Sequence, residues 1–122
     1  MENLKKILII EDEKTLARAL SFKLTYSGFE VKTVFNGEEG IAILKQESFS
    51  LILLDLIMPK MDGFAVLSTL RAMGIRTPVM VLSNLSQEND IKRTREFGVK
   101  DFFIKSNTPI AVIAEGVIKF LK

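Results

Sequence analysis

Short apolar runs that each stop abruptly on polar residues, separated by stretches of helical period, constrain this chain more than any other feature. Leu4 to Ile10 is rich in isoleucine and stops at Glu11-Asp12-Glu13, Leu51-Ile52-Leu53-Leu54 stops at Asp55, Pro78 to Leu82 stops at Ser83, and Phe102 to Ile104 stops at Lys105. Runs such as Ile7–Ile10 and Leu51–Leu54 are apolar at every position rather than every second one, which describes strands covered on both faces. Phe29 to Val34 alternates and makes a further strand. Between the runs the period changes. Leu16, Ala19, Leu20 and Leu24 lie on one helical face from Thr15 to a stop at Gly28, and Ile41, Ile43 and Leu44 follow a break and cap at Asn36-Gly37. Helices are expected from Phe64 to about Met73, stopped by Gly74, and from Glu88 to Phe97, stopped by Gly98. The last is expected from about Pro109 to Leu121, with Asn107 or Thr108 as its cap and Pro109 at its first position.

Strand and helix in alternation require right-handed crossovers, hence a parallel sheet with helices on both faces: an α/β, doubly wound architecture of five βα units. The whole of residues 1–122 is expected to form one domain, since ordinary domains have roughly 100–150 residues and no linker interrupts the alternation. The loop Leu56 to Gly63 is expected to be irregular because it holds Pro59 and Gly63. The run Ile7–Ile10 is too short for a signal-peptide core and no run approaches membrane-spanning length, so a cytoplasmic location without membrane contact is expected. A net charge of +2, from 17 basic and 15 acidic residues without a basic cluster, disfavours direct nucleic-acid binding. With neither cysteine nor histidine, thiol, thiolate-zinc and imidazole chemistry are excluded, and carboxylates, hydroxyls and lysines must carry the function.

Ligands of doubly wound sheets bind beyond the carboxyl ends of the strands. The residues at those ends are Glu11 and Asp12, Asp55, Ser83 and Lys105. Carboxylates gathered at one edge repel and raise one another's pKa unless a cation lies among them, so the grouping predicts a hard divalent ion, Mg²⁺ above all. An ionised aspartate beside such an ion is a competent nucleophile toward phosphorus, and Asp55 is the best placed. Phosphoryl transfer needs charge neutralisation, which the metal and Lys105 would share, and Ser83 offers a hydroxyl to the transferred group. The acids Glu11-Asp12-Glu13 also suit the start of the following helix, and capping is expected to be part of the role of Glu13.

These residues carry a family pattern. Ile-Leu-Ile-Ile-Glu-Asp-Glu at 7–13, Leu-Leu-Asp-Leu-Ile-Met-Pro-Lys-Met-Asp-Gly at 53–63, Ser83 after Val-Met-Val-Leu, and Gly-Val-Lys-Asp-Phe-Phe-Ile-Lys at 98–105 resemble response-regulator receiver domains over essentially the whole chain. The resemblance implies a flavodoxin-like (βα)5 fold with strand order 2-1-3-4-5, Asp55 as phosphoacceptor, and Glu11, Asp12, Asp55 and the Ile57 backbone carbonyl around Mg²⁺. It further implies Lys105 and Ser83 at the phosphoryl group and Phe102 as a switch aromatic, whereas Phe103 is expected simply to pack under a helix. The implied partners are a histidine kinase or phosphotransfer protein as donor and a downstream protein target reached through the fourth helix, fifth strand and fifth helix, with a phosphorylation-dependent homodimer as a further possibility. Turnover of an external substrate is not expected; the chain would catalyse its own phosphoryl transfer and slow autodephosphorylation.

The pattern has departures. Ser106 stands where the family usually has proline, Asn84 where it has a very small residue, and the rate-modulating positions two beyond Asp55 and Ser83 are the apolar Ile57 and Leu85. Asn84 is expected to shield the phosphoryl group or hinder access of the donor, and Ile57 with Leu85 to leave no polar group for a hydrolytic water. Two other functions compete. An aspartate-nucleophile phosphatase would need a second acid where Ile57 stands; a phosphorylation-defective interaction or dimerisation module would keep the pocket only as a relic.

Overall fold

The strands β1 (Lys6–Ile10), β2 (Glu30–Val34), β3 (Leu51–Leu54), β4 (Val79–Ser83) and β5 (Asp101–Ile104) pair in parallel in the order 2-1-3-4-5. They form the sheet of a computed structural model that describes residues 4–84 and 88–122, so the expected role of Leu85 lies outside the described residues. Between the strands run α1 (Lys14–Tyr26), α2 (Gly37–Leu44), α3 (Gly63–Ala72) and α4 (Glu88–Glu96), and α5 (Ile110–Leu121) follows β5. Fold class and strand order are as the sequence implies.

The alternation of side chains along each strand sorts the core into two layers. Leu8 and Ile10, Ile52 and Leu54, Val79 and Val81 pack with Ile41 and Leu44 of α2 and Phe64, Val66, Leu67 and Leu70 of α3. Their neighbours Ile7 and Ile9, Leu51 and Leu53, Met80 and Leu82 pack on the other face with Ala17, Leu20 and Leu24 of α1 and Ile113, Ala114, Val117 and Leu121 of α5. Every residue of β3 and β4 is buried, which is why these runs lack the polar alternation of β2. The expected stops Gly28, Gly74 and Gly98 take left-handed φ values of 101°, 71° and 79°. Asn36 caps α2 as expected, its Oδ1 accepting from the Glu39 N–H at 2.9 Å.

Three local expectations are corrected. Gly63 is the first residue of α3 rather than the end of a loop, because Asp62 caps the helix by accepting from the Ala65 N–H at 2.8 Å. Pro109 is the N-cap of α5 and not its first residue; Asn107 is taken up in a short 3-10 turn over Lys105–Asn107, and no side chain caps the helix. Glu13 occupies the N-cap position of α1, yet its side chain makes no cap hydrogen bond there. Among the described residues no peptide bond is cis, Lys105–Ser106 included.

Candidate functional site

The carboxyl ends of β1 and β3 are level, because Ile10 is paired with Leu54. The hydrogen-bonding continues past both ends: the Asp55 N–H donates to Ile10 O at 3.0 Å and the Glu11 N–H to Val34 O at 3.1 Å. The backbones of Glu11 and Asp55 are therefore held by the sheet itself, and both side chains are buried, with 0% and 1% of their surface exposed. Asp12, one residue on, is exposed. One carboxylate oxygen from each of Glu11, Asp12 and Asp55 falls within 4.8 Å of the others.

Lys105 reaches into this group from the turn after β5. Its Nζ donates to Asp55 Oδ2 at 3.1 Å and lies 2.8 Å from Glu11 Oε1 and 3.8 Å from Glu13 Oε2. The other Asp55 oxygen, Oδ1, accepts from the Ile57 N–H at 3.1 Å, and Glu11 Oε2 accepts from the Glu13 N–H at 2.9 Å. Glu13 thus serves the site through its backbone amide and through its charge beside Lys105, and not as a side-chain cap. The Glu11–Lys105 contact is an ion pair without hydrogen-bond geometry, so Glu11 Oε1 is a buried oxygen with no hydrogen-bond partner among the described residues.

The electrostatics follow from this burial. Desolvation raises the Glu11 carboxyl from 4.5 to about 7, although Lys105 and the Glu13 amide work against the shift. Asp55 is raised as well, chiefly by burial, with the Ile57 amide and Lys105 opposing. Mutual repulsion, the cause expected from the sequence, is a lesser contribution than burial. Burial alone would lower Lys105, but Glu11 and Asp55 together bring it above the ordinary lysine value.

The other expected residues are placed as follows. Ser83 is fully buried at the end of β4, the strand beside β3. Ile57 is 51% exposed, and its N–H rather than its carbonyl is the atom engaged with Asp55. Phe102 packs on the α4 side and borders a cavity of about 320 Å³ lined by Ile91, Thr94, Arg95 and Val99. Phe103 faces the opposite layer, where a Cβ on Gly116 of α5 would come within 2.8 Å of its ring, so it does pack under a helix. Asn84 is exposed, and its Oδ1 accepts from the Ser106 N–H at 2.8 Å.

The donor set suits a hard divalent cation: it is all oxygen, it converges, and it includes a buried oxygen that lacks a hydrogen bond. What a buried acidic pocket with one lysine serves is decided by comparison with known proteins. The family model for the response regulator receiver domain matches residues 7–115. The chain belongs to the receiver domain family. The general role of this family is that of phosphoacceptor in two-component signalling.

Among curated relatives, the receiver is 40% identical over 110 residues to a probable transcriptional regulator, ycf27, of Porphyra purpurea, covering 89% of this chain and 45% of the relative. It is 38% identical over 100 residues to the cell cycle response regulator CtrA of Brucella ovis, covering 82% of this chain and 43% of the relative. The receiver therefore spans less than half the length of these curated relatives. Among solved structures, the phosphorylated cyanobacterial phytochrome response regulator RcpA superposes with a TM-score of 0.84 at 34% identity, covering 97% of this chain and 94% of that one.

Proposed function

We propose that residues 1–122 form one receiver unit in which Asp55 accepts a phosphoryl group from a histidine kinase, a phosphotransfer protein or a small acyl phosphate. The convergence of Glu11, Asp12 and Asp55 within 4.8 Å, with Lys105 on both buried acids, carries this reading. A carboxylate oxygen of Asp55 attacks phosphorus as the bond from phosphorus to the donor's nitrogen or oxygen breaks, and the donor atom leaves with the electron pair. The Ile57 amide on Oδ1 and the Lys105 ammonium on Oδ2 orient the carboxylate for this attack. Glu11, Asp12 and Asp55, with the Ile57 carbonyl, would hold Mg²⁺, which supplies charge neutralisation at the phosphoryl oxygens. Once Asp55 is modified, Lys105 pairs with a phosphoryl oxygen and the Ser83 hydroxyl donates to another.

The signal would leave through α4, β5 and α5. Phe102 borders a cavity against α4, so its ring has space in which to exchange packing sites when the end of β4 moves. A full switch needs about 5.5 kcal/mol of differential stabilisation, and charge-assisted contacts worth about 1.5–3 kcal/mol each from Lys105 and Ser83 nearly supply it.

Intact-mass measurement after incubation with acetyl phosphate, with and without Mg²⁺, tests the proposal. A Mg²⁺-dependent gain of one phosphoryl group that Asp55→Asn abolishes is the expected result. No gain from acetyl phosphate or any kinase, with retained binding to a protein partner, would instead assign the chain to the phosphorylation-defective interaction module.

A further inference from the structure

The two least typical residues near the pocket are bonded to each other. Asn84 stands directly after Ser83 and Ser106 directly after Lys105, and the Asn84 side chain accepts the Ser106 N–H at 2.8 Å. The bond lies where the sheet stops. The last register pair between β4 and β5 is Ser83 with Ile104, so the Asn84 carboxamide adds one more rung beyond the end of the ladder, spanning Lys105. The backbone of Lys105 is thereby held on both sides, by Ile104 in the sheet and by Ser106 on Asn84. Neither partner makes this rung alone. A proline at 106 has no N–H to donate, and a very small residue at 84 has no side-chain acceptor.

We propose that Asn84 and Ser106 act together as a positioning device for Lys105, a side-chain rung that fixes the lysine against Asp55 and Glu11 and ties it to the segment that follows Ser83. This rests on the role given to Lys105 in phosphoryl transfer. It replaces the expectation that Asn84 is a steric shield: Oδ1 is engaged with the neighbouring loop. A shield and a rung also predict opposite results. If Asn84 obstructs the donor, removing it speeds transfer; if it fixes Lys105, removing it slows transfer.

The test uses Asn84→Ala, Ser106→Pro and the double variant, with two measurements. One is the rate of phosphoryl gain from acetyl phosphate at saturating Mg²⁺. The other, independent of phosphorylation, is the rate at which an amine-acetylating reagent modifies Lys105, read by peptide mapping. Each single variant is expected to slow phosphoryl gain about fivefold, the ratio corresponding to one net hydrogen bond, and the double variant to be no slower than either. Lys105 should be acetylated about fivefold faster in all three. Asn84→Asp, which keeps an oxygen acceptor, should restore the hydrogen-exchange protection of the Ser106 amide that Asn84→Ala removes. Faster phosphoryl gain in Asn84→Ala, or losses that multiply in the double variant, would overturn the proposal. If the parent protein gains no phosphoryl group at all, the proposed function fails, and the acetylation and exchange rates still decide whether the rung holds Lys105.

Discussion

Substituting Gly63 by alanine should damage both the stability of the receiver and the placement of Asp55. A Cβ at this first residue of α3 would lie 2.5 Å from the Asp55 carbonyl oxygen, 2.6 Å from Leu56 Cα and 2.8 Å from Leu56 Cδ2. Ordinary contact is near 3.5–4.0 Å, so the overlap is about 1 Å, and two of the three atoms are backbone. That backbone cannot yield freely. The Asp55 N–H is bonded to Ile10 O and the Gly63 N–H to Leu56 O, each at 3.0 Å, and Leu56 is 1% exposed. Relief must come from moving α3 off the sheet or moving the segment that carries Asp55. Overpacking at the upper end of its range costs about 3 kcal/mol, and the helix gains at most about 1 kcal/mol from replacing glycine. A net loss of about 2 kcal/mol is expected, which lowers the melting temperature by about 6–10 °C for a domain of this size. A 1 Å displacement of a reacting group costs about a hundredfold in rate, so phosphoryl gain should fall further than stability alone explains. Gly74→Ala is the control. Gly74 has φ 71° with nothing within 4 Å of a Cβ, so the change should cost about 1 kcal/mol of backbone strain and leave phosphoryl gain unaltered. Urea unfolding and intact-mass kinetics on both variants decide the matter; a Gly63→Ala protein as stable and as reactive as Gly74→Ala would refute the close-approach argument.

Glu11 predicts an unusual pH dependence of the metal-free protein. Its folded pKa of about 7 lies above the ordinary 4.5, so the folded state binds more protons across that window and stability falls as pH rises through it, by about 3 kcal/mol. Unfolding in chelator at pH 5 and pH 8 should show this slope, and Glu11→Gln should reduce it, the raised Asp55 carrying the remainder; an equal slope in the variant excludes Glu11 as its origin. Gly116→Ala should cost about 1 kcal/mol, because its Cβ meets the Phe103 ring at 2.8 Å, but should stabilise a Phe103→Leu background by a similar amount through helix propensity. Thermal unfolding of the four proteins would expose a missing sign change. With apolar side chains at 57 and 85, the phosphorylated form should decay more slowly than that of an Ile57→Asn, Leu85→Lys variant, and equal half-lives would show that neither position governs the water.

The sheet was legible because burial on both faces writes continuous apolar runs, and because Gly28, Gly74 and Gly98 mark helix ends by a conformation that other residues resist. The pocket was legible because the topology brings all strand ends to one edge. What escaped the sequence depended on contacts between distant segments. Asn107 and Thr108 are good caps in isolation, but the turn after Lys105 takes up Asn107 and leaves Pro109 to open α5. Glu13 is a natural cap by type, yet Lys105 from the far side of the sheet lies within 3.8 Å of its carboxylate. The order of causes behind the raised acids follows from tertiary burial that no sequence pattern records, since Glu11 and Asp55 are almost wholly removed from water. The link from Asn84 to Ser106 joins residues 22 apart and follows from the β4–β5 register, which no local pattern records.

The parts of the pocket differ in what holds them, and the difference matches what each must do. Glu11 and Asp55 extend ladders of the sheet, so their positions are set by the most rigid element of the fold. Lys105 lies one residue past the end of β5, on a turn whose next residue, Ser106, is bonded to Asn84. It is the one cation among the described residues in contact with Glu11 and Asp55, and it satisfies them incompletely: Glu11 Oε1 keeps no hydrogen bond, and both acids stay above their ordinary pKa despite the lysine. Burying two carboxyls against a single ammonium costs stability that well-packed apolar side chains would not. The fold bears that cost at the carboxyl edge and offsets it in the two apolar layers beneath. Acids fixed by the sheet, and a lysine whose backbone is anchored while its long side chain pairs with both of them, keep the balance of charge in one place.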